Sequence, residues 1–164
     1  SSATPTERMS TMNKKRYYIA YGSNLNIRQM RYRCPGAKPI GISAIPDYEL
    51  LYKGSKTGAY LTIEPKDGGL VPIAVWEVTA DDEKLLDIYE GYPNFYYKKE
   101  VRLPVRMASG KIRKVTAFIY IMHEERSIAI PSMTYIRTCE EGYRNFGFDV
   151  KYLDRAYHRS TKED

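Results

Sequence analysis

Arg16-Tyr17-Tyr18-Ile19-Ala20-Tyr21-Gly22-Ser23-Asn24-Leu25-Asn26 is a nearly unbroken apolar run, stopped by a glycine and followed by small polar residues. A run without polar alternation reads as a strand covered on both faces. Gly22-Ser23 breaks it, and a short helix then extends from Asn26 to about Cys34. Asn26 and Gln29 have the spacing of a capping box. Ile27, Met30 and Cys34 fall on one face, and Pro35-Gly36 ends the helix. A buried strand that turns into a helix through Gly-Ser-Asn is a physical device. The helix start leaves backbone N–H groups without partners and carries partial positive charge. Such a corner suits a carboxylate, an amide oxygen or a developing oxyanion. Read alone, Ser23 and Asn24 serve equally well as plain helix caps.

Working outward, strands are expected near 40–45, 48–52 and 59–63, separated by Pro46-Asp47 and by Gly54-Ser55-Lys56-Thr57-Gly58. Lys66-Asp67-Gly68-Gly69 reads as a turn, and 71–78 as another strand. Thr79 caps a helix whose first turn carries Asp81, Asp82 and Glu83, where the macrodipole favours them. Leu85, Leu86 and Tyr89 are its expected apolar stripe, and Gly91 its stop. Residues 97–105 and 112–122 form a hairpin around Ser109-Gly110. Ser132 begins an amphipathic helix with Tyr135, Ile136, Cys139 and Tyr143 on one stripe, and a short helical segment near 149–157 closes the chain. This order gives an α+β fold: a small mixed, barrel-like sheet with flanking helices. Residues 1–12 read as a disordered tail or cloning remnant, and 13–164 as one domain.

Composition narrows the function classes. The chain has 164 residues, 43% of them hydrophobic, enough for a core without staples. Tyrosine dominates the aromatics, with 16 Tyr against 4 Phe and 1 Trp, which suits half-buried strands and cavity walls. The net charge of +6 is scattered rather than clustered, the pattern of a solvated surface, so neither nucleic acid nor membrane is an expected partner. Cys34 and Cys139 lie far apart and His123 and His158 are isolated, so no metal site and no cofactor are expected. The sequence contains no apolar run near 18 residues, and a cytoplasmic protein with reduced thiols is the expectation.

A second candidate site lies in Leu86-Asp87-Ile88-Tyr89-Glu90-Gly91-Tyr92-Pro93. Glu90 falls in the last turn of its helix, where the negative dipole end opposes ionisation. Burial among Leu86, Tyr89 and Tyr92 would oppose it too, raising its proton affinity into the range of a general acid/base. An exposed glutamate beside a glycine cap is the alternative.

Together these segments resemble the γ-glutamylcyclotransferase-like family. The resemblance rests on Tyr21-Gly22-Ser23-Asn24-Leu25 after a buried strand, on Val71-Pro72-Ile73-Ala74-Val75-Trp76-Glu77-Val78 before an acidic helix start, on the Glu90-Gly91-Tyr92-Pro93 segment, on Tyr96-Tyr97, and on Pro131-Ser132-Met133-Thr134-Tyr135. It spans roughly residues 16–145. It implies a small β-barrel with one cavity, Glu90 as the catalytic acid/base, Tyr21, Gly22, Ser23, Asn24 and Leu25 as the substrate-binding turn, and Tyr135 and either Tyr96 or Tyr97 as wall residues. The loop lacks the Leu-Met of the glutathione-specific branch, which argues against glutathione as the preferred substrate; the γ-glutamylamine type is the expected one.

The implied reaction is an intramolecular aminolysis of a small γ-glutamyl amide. The α-amine attacks the γ-carbonyl, giving 5-oxoproline and a free amine, a transferase or lyase type of step without a cofactor. Neither histidine sits in a triad signature, so Ser23 is not expected to act as a nucleophile. Glu64, Glu77 and Glu100 are expected to stand outside the chemistry. The alternatives are a same-fold enzyme acting on a carrier-bound or other γ-glutamyl substrate, and a non-enzymatic small-molecule binder. The oligomeric state and the leaving amine stay open.

Overall fold

The computed structural model describes residues 2–6, 14–55 and 57–162. Most of the expected tail, 1–12, lies outside the described residues. Strand β1 (Lys15–Ala20) runs into a 3-10 turn (Ser23–Leu25) and helix α1 (Ile27–Arg33). Strands β2 (Lys38–Ser55) and β3 (Gly58–Thr79) are followed by α2 (Ala80–Glu90), β4 (Tyr96–Met107), β5 (Ile112–Met122), a short β6 (Ser127–Ile128), α3 (Met133–Asn145) and α4 (Lys151–Thr161).

The sheet runs β3-β1-β5-β4-β2, and β2 pairs again with β3, so five strands close into a barrel with β6 appended to β2. β1 is parallel to β5, with Tyr17 opposite Ala117, and antiparallel to β3. That makes the barrel mixed, as expected. β1 is central because both its edges are paired, and Tyr18, Ile19 and Ala20 are buried with Trp76, Phe118 and Ile119.

Two expectations are corrected. The segments near 40–45, 48–52, 59–63 and 71–78 are not separate strands but the two arms of one long hairpin, β2–β3. Pro46-Asp47 and Lys66-Asp67-Gly68-Gly69 do not reverse the chain. They face each other across a bulge between the pairs Pro46–Leu70 and Tyr48–Pro65. Asp47 takes φ 61, and its Oδ1 accepts the Gly68 N–H at 3.0 Å. Aspartate tolerates that conformation because its short side chain bonds locally. Turn chemistry in the sequence thus marked a kink rather than an end.

The other correction concerns α2. Leu86 is buried, but Leu85 is 44% exposed, Tyr89 43% and Ile88 79%. The face turned to the barrel carries Asp82, Glu83, Leu86, Asp87 and Glu90, the spacing of one helical face. Asp82 closes a capping box with Thr79. Glu83 and Asp87 both hold Lys98, at 2.6 and 2.8 Å, and Glu83 also takes Arg16 at 2.8 Å. The Tyr120 hydroxyl donates to Asp87 at 2.5 Å. The helix is therefore docked by ion pairs to the strand residues Arg16 and Lys98 as well as by buried Leu86. Such pairs add little net stability but enforce one arrangement, and that arrangement turns Glu90 inward.

α3 buries Cys139 and Tyr143, with Tyr135 and Ile136 half-buried, as its pattern predicts, and Ser132 caps it by accepting the Tyr135 N–H.

Candidate active site

A cavity of about 350 Å³ opens at the end of the barrel where β1 meets α2. Tyr21, Gly22, Ser23 and Asn24 form one wall, and Glu90 with Gly91 another. Two segments 66 residues apart in sequence, Ser23 and Tyr89, meet at 3.2 Å through their hydroxyls. The sequence segments singled out around Gly22 and around Glu90 therefore face the same space.

Glu90 ends α2 because Gly91 adopts φ 62. The Tyr92 N–H reaches the Asp87 carbonyl at 2.9 Å and the Gly91 N–H the Ile88 carbonyl at 3.2 Å, a complete Schellman motif. Only a residue free of a Cβ penalty adopts this φ cheaply, so the glycine fixes where the helix stops and where Glu90 points. Among the described residues the Glu90 carboxylate has no ion pair or hydrogen-bond partner. Loss of hydration pushes its pKa up to about 8, partly opposed by the Arg33 guanidinium. Glu90 is the one carboxylate among the described residues that line the cavity. Burial raises the surrounding tyrosines, Tyr18, Tyr21, Tyr96 and Tyr135, well above the ordinary phenol value, so they stay neutral.

The turn is tightly built. The Leu25 N–H is spent on the Gly22 carbonyl and the Asn26 N–H on that of Ser23, both at 3.0 Å. The N–H groups of Ser23 and Asn24, first in the 3-10 turn, have no acceptor within it. The Asn24 side chain is not free: its Nδ2 donates to the Tyr18 hydroxyl at 2.8 Å, and its Oδ1 accepts from Arg33. The Arg33 guanidinium lies 3.4 Å above the Tyr89 ring.

The structure sorts the remaining predicted residues. Tyr96 and Tyr135 line the cavity; Tyr97 does not, and its hydroxyl bonds Glu124 outside. Leu25 is fully buried in the core and also lies off the cavity wall. The hydroxyls of the wall tyrosines are largely committed to backbone. Tyr21 donates to the Tyr120 carbonyl at 2.7 Å, Tyr96 donates to the Leu61 carbonyl at 2.8 Å, and Tyr135 accepts the Leu61 N–H at 3.0 Å. They shape the walls. Glu64, Glu77 and Glu100 pair with Lys53, Lys15 and Arg16, away from the cavity.

Sequence reasoning missed Tyr18, Tyr60, Phe95, Tyr120 and Arg126, which also line the cavity, and Arg33 beside it. Gln29 and Arg33 at helical i, i+4 spacing were a legible signal for Arg33, since its guanidinium also donates to Gln29 at 3.2 Å. Among the described residues no cluster of three or more His, Cys, Asp or Glu is placed to hold a metal, and no helix is long and apolar enough to cross a membrane. Both cysteines are free and buried.

Residues 18–137 match the family model described as gamma-glutamyl cyclotransferase, AIG2-like. The chain belongs to that family. The human gamma-glutamylcyclotransferase is 28% identical over 145 residues, covering 84% of this chain and 75% of its own length. The Bos taurus gamma-glutamylcyclotransferase is 28% identical over 142 residues, covering 82% and 73%. A solved structure titled gamma-glutamyl cyclotransferase superposes with a TM-score of 0.73 at 26% identity, covering 87% of this chain and 86% of that one. The protein is thus a cyclotransferase-type enzyme on a closed mixed barrel.

Proposed function

We propose that this cyclotransferase converts a small γ-glutamyl amide to 5-oxoproline and a free amine, with Glu90 as the acid/base. The observation that carries this reading is the one carboxylate among the described residues of the cavity wall, its pKa pushed up to about 8, facing the Gly22–Asn24 turn.

The substrate brings its own nucleophile. Glu90, ionised, takes a proton from the α-ammonium. The amine nitrogen then bonds to the γ-carbonyl carbon, closing a five-membered ring and leaving a tetrahedral oxyanion. The bond from that carbon to the departing nitrogen breaks as Glu90 returns the proton to it, and Glu90 then takes the second proton from the ring nitrogen and passes it to the freed amine, which leaves as an ammonium. Proton uptake and release balance, and Glu90 ends as it began. The Ser23 and Asn24 N–H groups, which have no acceptor within the 3-10 turn, would receive the oxyanion, each such donor being worth about 3 kcal/mol. The tyrosine walls, with hydroxyls tied to backbone, hold a fixed shape that folds the substrate with its amine about 3–3.5 Å from the carbonyl. A pKa near 8 suits a group that must both take and give a proton near neutrality.

The test is mass-spectrometric detection of 5-oxoproline from a panel of γ-glutamyl amines, γ-glutamyl dipeptides and glutathione. Wild type should form it and Glu90→Gln should lose about 10²–10⁴ in rate. Full activity in Glu90→Gln would remove the acid/base role. The two buried free thiols suit a reducing, cytoplasmic setting.

A further inference from the structure

Spread along the chain, the positive charge comes together in the fold. Residues 101–117, the outer half of the β4–β5 hairpin, carry Arg102, Arg106, Lys111, Arg113 and Lys114 and no acid. The net charge of the whole chain is +6, so this hairpin accounts for nearly all of it. The five cations are exposed. None of them has an ion pair among the described residues, although nine pairs are formed elsewhere. The nearest acid along β4, Glu100, is held by Arg16 at 3.3 Å.

Strand geometry gathers the charge on one face. Arg102, Pro104 and Arg106 are alternate residues of β4 and point away from buried Leu103 and Val105. On β5, Lys114 lies opposite Pro104 and Ile112 opposite Arg106; on β2, Ile42 lies opposite Arg106. Cross-strand partners share a face. Ile112 is 65% exposed and Ile42 half-buried, so an isoleucine stands on either side of Arg106. Lys111 and Arg113 flank Ile112 at the tip. Cations that reach phosphate oxygens, with apolar side chains that enter the acyl boundary beneath them, make an interfacial surface. A nucleic acid would use the cations and call for aromatic stacking platforms, whereas the apolar residues of this face are aliphatic.

We infer that this face docks the protein on an anionic lipid surface, with Arg102, Arg106 and Lys114 on the headgroups and Ile112 below them. That goes beyond the solvated surface expected from the sequence. The face lies at the far end of β4 from Tyr96, which lines the catalytic cavity. At about 3.3 Å per residue the two ends are roughly 30 Å apart. A docked molecule therefore keeps its cavity clear of the lipid, and the inference does not depend on the reaction.

The experiment is co-sedimentation of the full chain with vesicles of phosphatidylcholine alone, and of about three parts phosphatidylcholine to one of phosphatidylserine, at about 0.1 M salt. Wild type should bind the mixed vesicles and not the neutral ones, and higher salt should release it. Each cation near such a surface is worth about fivefold in partition, so the triple variant Arg102→Gln, Arg106→Gln, Lys114→Gln should bind about a hundredfold more weakly. Ile112→Ser should lose about threefold to tenfold on the same vesicles and keep the salt dependence. The same charge removed at Lys66, Arg155 and Lys162, which are exposed elsewhere, should cost far less. Unchanged urea midpoints check that the variants are folded. No binding to the mixed vesicles, equal binding to the neutral ones, or equal losses from the two triple variants would overturn the inference. So would tighter binding to a single-stranded RNA oligonucleotide than to the mixed vesicles.

Discussion

Glu90→Gln should stabilise the protein increasingly as pH rises, while it cuts turnover by about 10²–10⁴. In the unfolded chain Glu90 ionises near its ordinary 4.5; in the fold its pKa is about 8 because the carboxylate has lost water. Below the lower value both states are protonated, and Glu and Gln are near isosteres, so the two proteins should be equally stable. Between 4.5 and about 8 the unfolded state releases the proton and the folded state keeps it, so wild-type stability falls with rising pH. Above about 8 both states are ionised and the loss is complete. At 1.36 kcal/mol per pH unit this interval bounds the effect at ~5 kcal/mol. The carboxylate is only half-buried and faces an open cavity, whose solvent screens it, so roughly 2–3 kcal/mol is expected. For a domain of this size that is a Tm difference of about 5–10 °C at pH 9, shrinking to nothing near pH 4. Urea unfolding of both proteins at a series of pH values gives the difference curve directly. A difference independent of pH, or a variant less stable than wild type above pH 8, would refute the assignment of a destabilised carboxylate.

Arg33→Met removes the charge that holds the Glu90 pKa down. Since Glu90 acts first as a base, the acidic limb of the kcat/KM–pH profile should move to higher pH, whereas Arg33→Lys should leave it in place; an unmoved limb in both excludes the coupling. Tyr96→Phe and Tyr97→Phe should separate: the first loses the bond to the Leu61 carbonyl and should cost about 1 kcal/mol in urea unfolding and lower turnover, while the second should leave kcat/KM unchanged. Gly142→Ala should destabilise by about 1–3 kcal/mol, because a methyl there would stand 2.6 Å from the Asn26 nitrogen; an unchanged denaturation midpoint would mean that α3 yields without cost.

What could be read in the sequence was local. Thr79, Ser132 and Gly91 each signal a helix boundary through contacts within a few residues, and all three act as their residue types suggest. The Gly22 turn and Glu90 were each visible as devices, but what makes them one site is tertiary. The facing of α2 was misread because its leucine and tyrosine pattern outweighed a row of acids whose partners, Arg16 and Lys98, lie on strands. Nor does Phe95 or Arg126 carry any local mark of its place in a cavity wall. Asp47 and Gly68 look like turn residues because they are; only the pairing across them reveals that the hairpin continues.

β1 is the first strand among the described residues, yet one of its edges is taken by β5, Tyr17 lying beside Ala117. The turn that follows it is clamped later still. The backbone of α3 at Gly142 presses on Leu25 and Asn26, the Thr138 carbonyl accepts from Asn26 Nδ2 at 3.1 Å, and Asn145 Oδ1 accepts from the Ile27 N–H at 3.0 Å. As the chain leaves the ribosome, the opening strand must therefore wait, apolar on both faces, until most of the chain has been made. Pairings across so long a loop are slow to form and leave a sticky edge exposed meanwhile. Nascent chains that end before α3 would carry every residue of the Gly22 turn and Glu90 but lack the clamp that α3 places on the turn, so catalytic competence should arrive late in synthesis.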